Sequence, residues 1–158
     1  MFCFPLPGTR PLAGSPLRLL GNLDDMLRTF VHGKIHGVRI TECKLRYNGS
    51  AEIDTALLAA SGIAPFEQIQ VVNLNTGSRL VTYAFPGQPG SFTLNGGAAR
   101  LGAVGDDCLV IAYRHEETFS GANVVFIDPT DNSIRDTMHY PSAAESHGKP
   151  AEKSKRVL

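Results

Sequence analysis

From Leu27 onward, apolar and polar residues alternate with the period of two expected of half-buried strands. Val38 and Ile40 alternate with Arg39 and Thr41, and positions near Leu45 and Tyr47 continue the pattern. Gln68 to Leu74 and Arg79 to Phe85 flank Asn75-Thr76-Gly77-Ser78, a connection rich in turn formers, which predicts a hairpin. Pro86-Gly87-Gln88-Pro89-Gly90 breaks the chain before Phe92-Thr93-Leu94 and the turn Asn95-Gly96-Gly97. The continuous apolar run from Cys108 to Tyr113 predicts a buried strand, and Asn123 to Ile127 predicts one more. One helix stands out: Asp54 as N-cap, Thr55 to Ser61 as the body, Gly62 as the stop, with Pro65 beyond it. Many short strands, frequent Gly and Pro turns and only one or two short helices predict a mainly β fold, a closed or nearly closed barrel.

The two ends depart from this pattern. Pro5, Pro7, Pro11 and Pro16 interrupt residues 1–25, whose apolar runs are too short to span a bilayer and lack the layout of a secretory signal. Only Arg10 and Arg18 give that stretch any likeness to a transit peptide. The expectation is a disordered extension or a start assigned upstream of Met26, then a barrel domain over 26–128. Residues 129–158, polar and ending in Lys153, Lys155 and Arg156, are expected to be a flexible tail.

Composition narrows the function classes. A chain of 158 residues is naturally one domain that buries roughly 70% of its unfolded surface. Fifteen basic and fifteen acidic residues cancel, so nothing points to nucleic acid or an anionic membrane. Cys3, Cys43 and Cys108 include no CxxC pair, which favours free thiols and a reducing, cytoplasmic setting.

The candidate chemistry centres on Tyr47-Asn48-Gly49-Ser50. A serine hydroxyl can attack the preceding carbonyl carbon and exchange the amide for an ester, a step that planar trans geometry normally resists. Glycine before the serine lacks a Cβ and can take strained or positive-φ conformations that bring the groups together. Taken alone, a Gly-Ser pair reads as a turn or bulge. A second grouping lies on the second hairpin strand, where Arg79, Val81 and Tyr83 face one way and Leu80 and Thr82 the other. Arg79 offers a rigid fork of donors to a carboxylate, and Tyr83 can pass a proton. Metal binding is not expected: His32 and His36 have helical ligand spacing but sit in strand-like sequence, and His115-Glu116-Glu117 lacks the second histidine of HExxH. Asp106-Asp107 reads as a turn feature, and Gly96-Gly97 lacks the context of a phosphate loop.

These segments, taken together, resemble the aspartate 1-decarboxylase family from Met26 to about Ile127. The matching stretches are Leu27-Arg28-Thr29, Gly33-Lys34-Ile35-His36, Leu45 to Ser50, Ile53-Asp54, Val72 to Gly77, Arg79, Thr82-Tyr83, Asn95 to Ala99 and Val104-Gly105-Asp106. The resemblance implies a double-psi β-barrel assembled as a homotetramer with sites at subunit interfaces, and it leaves an accessory maturation factor open. It also implies autocatalytic cleavage between Gly49 and Ser50, converting Ser50 into a covalent pyruvoyl group that takes L-aspartate as a Schiff base and yields β-alanine for pantothenate synthesis. No metal or pyridoxal cofactor is implied. By the same resemblance Tyr83 is the proton donor and Thr82 assists processing, while Lys34, Tyr47, Arg79, Thr82, Asn95, Gly96, Gly97 and Ala98 meet the substrate. Because alternation turns Thr82 away from Tyr83, a bulge or a site shared between subunits is needed, and the shared site is favoured. Gly97 stands where the family usually has alanine, and Asp107 where an apolar strand residue is common. Two other readings stay open: a non-processing barrel that binds or regulates, and a pyruvoyl decarboxylase of another acidic amino acid.

Overall fold

The computed structural model describes residues 26–146. Period-two segments become nine strands: β1 (Arg28–Arg39), β2 (Glu42–Lys44), β3 (Ser50–Asp54), β4 (Gln68–Asn73), β5 (Arg79–Gly87), β6 (Phe92–Asn95), β7 (Asp107–Glu116), β8 (Ala122–Asp128) and β9 (Ser133–Tyr140). They join in one mixed sheet of order β2-β6-β3-β5-β4-β7-β1-β8-β9, in which parallel β2–β6, β3–β5 and β1–β8 pairs interleave with antiparallel ones. This mainly β architecture is that of a double-psi β-barrel. Its core is the inward set of alternate positions, including Ile35, Val38, Ile53, Ile69, Val71, Ala84, Phe92, Val110 and Val125.

The predicted helix forms as α1 (Thr55–Ser61). Asp54 caps it by accepting the Ala56 N–H at 2.7 Å, and Gly62 ends it in the left-handed conformation at φ 74. Leu57 and Leu58 turn inward onto the core, which seals one side of the barrel. The predicted hairpin is β4–β5, in register from Gln68 opposite Tyr83 to Val72 opposite Arg79. No described helix is long and apolar enough to cross a membrane.

Four expectations need correction. Residues 133–140, placed in a flexible tail, form β9, which pairs along β8 from Ala122–Tyr140 to Asp128–Ser133, and a single helical turn, α2 (Ala143–Ser146), follows. Their polar sequence misled because β9 is an edge strand with much of its surface in water. The Cys108–Tyr113 run is buried on one face only. Cys108, Val110 and Ala112 are inside, while Leu109 and Ile111 are half-buried and Tyr113 is exposed. Leu45 to Gly49 is an exposed turn and not a continued strand. Asp107 finds its account in a forked ion pair, with Arg39 Nε and Nη2 donating to Asp107 Oδ1 and Oδ2 at 2.8 and 3.1 Å. The stretches 1–25 and 147–158 lie outside the described residues.

Candidate active site at the head of strand three

Strand pairing alone assembles the centre of the site. β3 begins at Ser50, which pairs with Asn95 at the end of β6, and on its other side Ala51 pairs with Ala84 of β5. Ala51 and Ala84 are both fully buried, so period-two alternation turns Ser50 and Tyr83 to the other face. Ser50 is 2% exposed, and its hydroxyl accepts a hydrogen bond from Asn95 Nδ2 at 3.0 Å. Asn95 is wholly buried, yet among the described residues its Oδ1 has no hydrogen-bond partner. A buried acceptor left unpaired costs about 1–3 kcal/mol, a cost that a donor reaching Asn95 Oδ1 would relieve.

Gly49 differs from expectation. It is exposed, its φ is outside the positive region, and a Cβ there would have nothing within 4 Å. The strained glycine is instead Gly96, at φ +59. A Cβ on Gly96 would lie 2.8 Å from the Tyr47 carbonyl oxygen, 2.9 Å from Gly49 Cα and 3.0 Å from Gly49 N. The Asn95-Gly96-Gly97 segment continues as a 3-10 turn, Gly96–Arg100, with Ala98 packed partly against the core. Gly97 is exposed with nothing within 4 Å, so the methyl group that the resemblance expects there has room. Tyr47 is 52% exposed on the turn before the Gly49–Ser50 bond, outside the core.

The remaining predicted residues stand apart from this cluster. Arg79 and Tyr83 share the exposed face of β5 with Val81, as alternation required, but four residues of strand place them about 13 Å apart. Thr82 is on the opposite face with Leu80 and Ala84, and β4–β5 pairing runs without a bulge through this stretch, so no local irregularity brings Thr82 round. Lys34 is on β1, with β5, β4 and β7 between it and β3. It heads a lateral row on the outer face, Lys34-Ile111-Gln70-Val81. Neither Lys34 nor Arg79 forms an ion pair among the described residues. One chain therefore holds Ser50, Asn95 and Gly96 together, has Tyr83 one position before the Ala84 that pairs with Ala51, and carries Lys34 and Arg79 elsewhere on its surface.

Sequence reasoning missed a charged group two strands from Ser50, across β6. Lys44 Nζ sits 2.9 Å from Glu42 Oε2 and 4.0 Å from Glu52 Oε2, spanning β6 from β2 to β3. The hydrogen bond to Glu42 is the main reason its pKa is raised. The only sequence signal was parity: Ser50 and Glu52 are two apart on β3, hence on one face.

Among the described residues no group of three metal-ligating side chains forms. His32 pairs with Glu67, and His36 packs on the Phe126 ring at a centroid distance of 5.4 Å. A hollow of about 160 Å³ near His32, Arg114 and His139 is lined by groups that bond one another, Arg114 to Glu116 and Ser120, and His139 to Asn123. Burial pushes the Cys108 thiol up to about 12, which leaves it protonated and unreactive.

Comparison with known proteins agrees with the layout. Residues 26–134 match the family model described as aspartate decarboxylase. An aspartate 1-decarboxylase of Acaryochloris marina is 47% identical over 117 residues, which span 70% of this chain and 89% of that protein. Aspartate 1-decarboxylase 2 of Gloeobacter violaceus is 56% identical over 90 residues, 56% of this chain and 72% of the relative. An aspartate 1-decarboxylase of Albidiferax ferrireducens is 38% identical over 135 residues, covering 80% of this chain and all of the relative. A buried serine behind an exposed glycine, framed by three strands of a mixed barrel, thus coincides with a match across most of the chain, which belongs to the aspartate decarboxylase family.

Proposed function

We propose that the chain cuts its own Gly49–Ser50 bond, converts Ser50 into a pyruvoyl group, and uses it to decarboxylate L-aspartate to β-alanine and carbon dioxide for pantothenate synthesis. Family membership supports the reaction, since the relatives are named aspartate 1-decarboxylases. The observation that carries the chemistry is the Ser50 hydroxyl, buried and held by Asn95, directly after an exposed glycine.

In the cut, Ser50 Oγ bonds to the Gly49 carbonyl carbon and gives its proton to the departing amide nitrogen, forming an ester. Loss of the Ser50 α-proton then breaks the Cβ–O bond and expels the Gly49 carboxylate; water replaces the nitrogen of the resulting dehydroalanine, releasing ammonia and leaving the ketone. The residues present suit such a group: it would stand at the head of β3 beside a buried carbonyl, Asn95 Oδ1, that lacks a donor. When formed, the ketone supplies an electrophile for the substrate amine and a sink for the electrons that carbon dioxide leaves behind.

This chain's own side chains do the rest. Asn95 Oδ1 accepts an N–H of the bound amine. Tyr83, on the same face as Ser50, returns a proton to the substrate carbon after decarboxylation. Arg79 and Lys34 hold the two carboxylates, and because one chain cannot bring them to its own Ser50, a neighbouring copy supplies them in a homotetramer. Thr82, Tyr47, Gly97 and Ala98 complete the pocket walls, with Thr82 also aiding the cut. A cytoplasmic enzyme agrees with the free Cys43 and Cys108 thiols.

Intact mass under denaturing conditions tests the reading. Two species are expected, one ending at Gly49 and one opening with a pyruvoyl group; a single full-length mass after prolonged warm incubation would refute it.

A further inference from the structure

Gly96 touches the backbone that self-cleavage must distort. It is buried, at φ +59, and the hydrogen in place of its side chain is what admits the Tyr47 carbonyl and the Gly49 backbone to their present distance. Gly49, by contrast, has open space where its own Cβ would stand and a φ outside the positive region. The restraint on the bond to be cut therefore comes from across the site. Asn95, the residue before Gly96, holds the Ser50 hydroxyl. One corner of the chain thus grips the nucleophile with its first residue and backs the attacked peptide with its second.

We infer that Gly96 is a positioning residue for self-cleavage: its bare Cα forms a backstop that seats the Tyr47–Gly49 backbone so that the Gly49 carbonyl carbon lies within reach of Ser50 Oγ. This rests on the cleavage proposed above and adds to it a residue that makes no contact with the reacting atoms' side chain. Any Cβ at position 96 must displace something. Residues 45–49 are exposed, whereas Asn95 on the other side is fully buried, so the scissile segment yields and the barrel does not. A shift of about 1 Å in a reacting group can cost 10²-fold in rate.

The test separates ester formation from later steps. Neutral hydroxylamine cuts an ester at its acyl–oxygen bond, giving Gly49 hydroxamate and a fragment that begins with unmodified Ser50. Freshly made full-length wild type should yield both fragments. Gly96→Ala should fold with unchanged circular dichroism yet release them about 10²-fold more slowly, and its spontaneous cleavage should slow equally. A folded Gly96→Ala that cleaves at the wild-type rate would overturn the inference. If Gly96→Ala does not fold, Gly96→Asn replaces it, because asparagine tolerates positive φ while carrying the same Cβ; wild-type cleavage by that variant is equally fatal. Wild type that shows neither spontaneous nor hydroxylamine cleavage would instead refute the cleavage reading itself.

Discussion

Tyr83 stands midway along β5, one position before the Ala84 that pairs with Ala51, with 37% of its surface exposed and open to a substrate. A phenol there can donate a proton without any part in cutting the chain. Tyr83→Phe is therefore expected to mature fully and to lose about 10²–10⁴-fold in turnover, measured as β-alanine formed per cleaved subunit. Near-normal turnover would remove Tyr83 from the mechanism. At this scale the sequence was informative where a residue's role follows from parity, since the shared face of Arg79 and Tyr83 needed only period-two alternation. It was uninformative where the role depends on a neighbour distant in sequence. Gly49 was expected to carry the strain that belongs to Gly96, because which glycine takes positive φ is decided by how β3 and β6 meet, forty-five residues apart at Ser50 and Asn95.

At the scale of elements, the β8–β9 turn is tied to the body of the barrel by one side chain. Asn132 is 3% exposed at φ 59; its Oδ1 accepts the Arg39 N–H at 2.8 Å, and its Nδ2 donates to the Arg39 and Gly90 carbonyls at 2.9 and 3.0 Å. Asparagine suits both demands, a short amide with three bonds to make and a tolerance of left-handed backbone. Asn132→Ala should lower stability by about 2–4 kcal/mol in urea unfolding, combining unpaired polar groups with backbone strain. Asn132→Gly, which relieves the strain alone, should fall between it and wild type. Equal stability of all three would show that the turn is not a fastening. No local signal announces this knot, nor β9. The edge strand is largely exposed on both faces in spite of Ile134, Met138 and Tyr140, and its pairing with β8 is settled by the β8 ladder and the turn. By contrast α1 was legible to the residue, because Asp54 and Gly62 act on their own backbone neighbours.

For the whole molecule, the separation of Lys34 and Arg79 from Ser50 makes a prediction about assembly. Ser50→Ala lacks the reactive group and Arg79→Ala lacks the carboxylate fork, so each alone should be nearly inactive. Co-expressed in equal amounts, random assembly of sites built from two copies should restore about a quarter of wild-type activity. Activity no greater than the sum of the parents would place the whole site within one chain. The fold class was readable because strand and turn signals are local, whereas the strand order that parts these two cations is a product of crossings that no stretch of sequence displays. That same order bears on what the protein becomes after the cut. β1 lies inside the sheet, hydrogen-bonded to β7 along most of its length and to β8, yet it belongs to the fragment that ends at Gly49. A matured subunit is then a heterodimer of fragments. Its unfolding turns from a unimolecular event into a dissociation, with a midpoint that rises with protein concentration, and dilution from denaturant asks two strangers to find each other where the precursor needed only to close a loop.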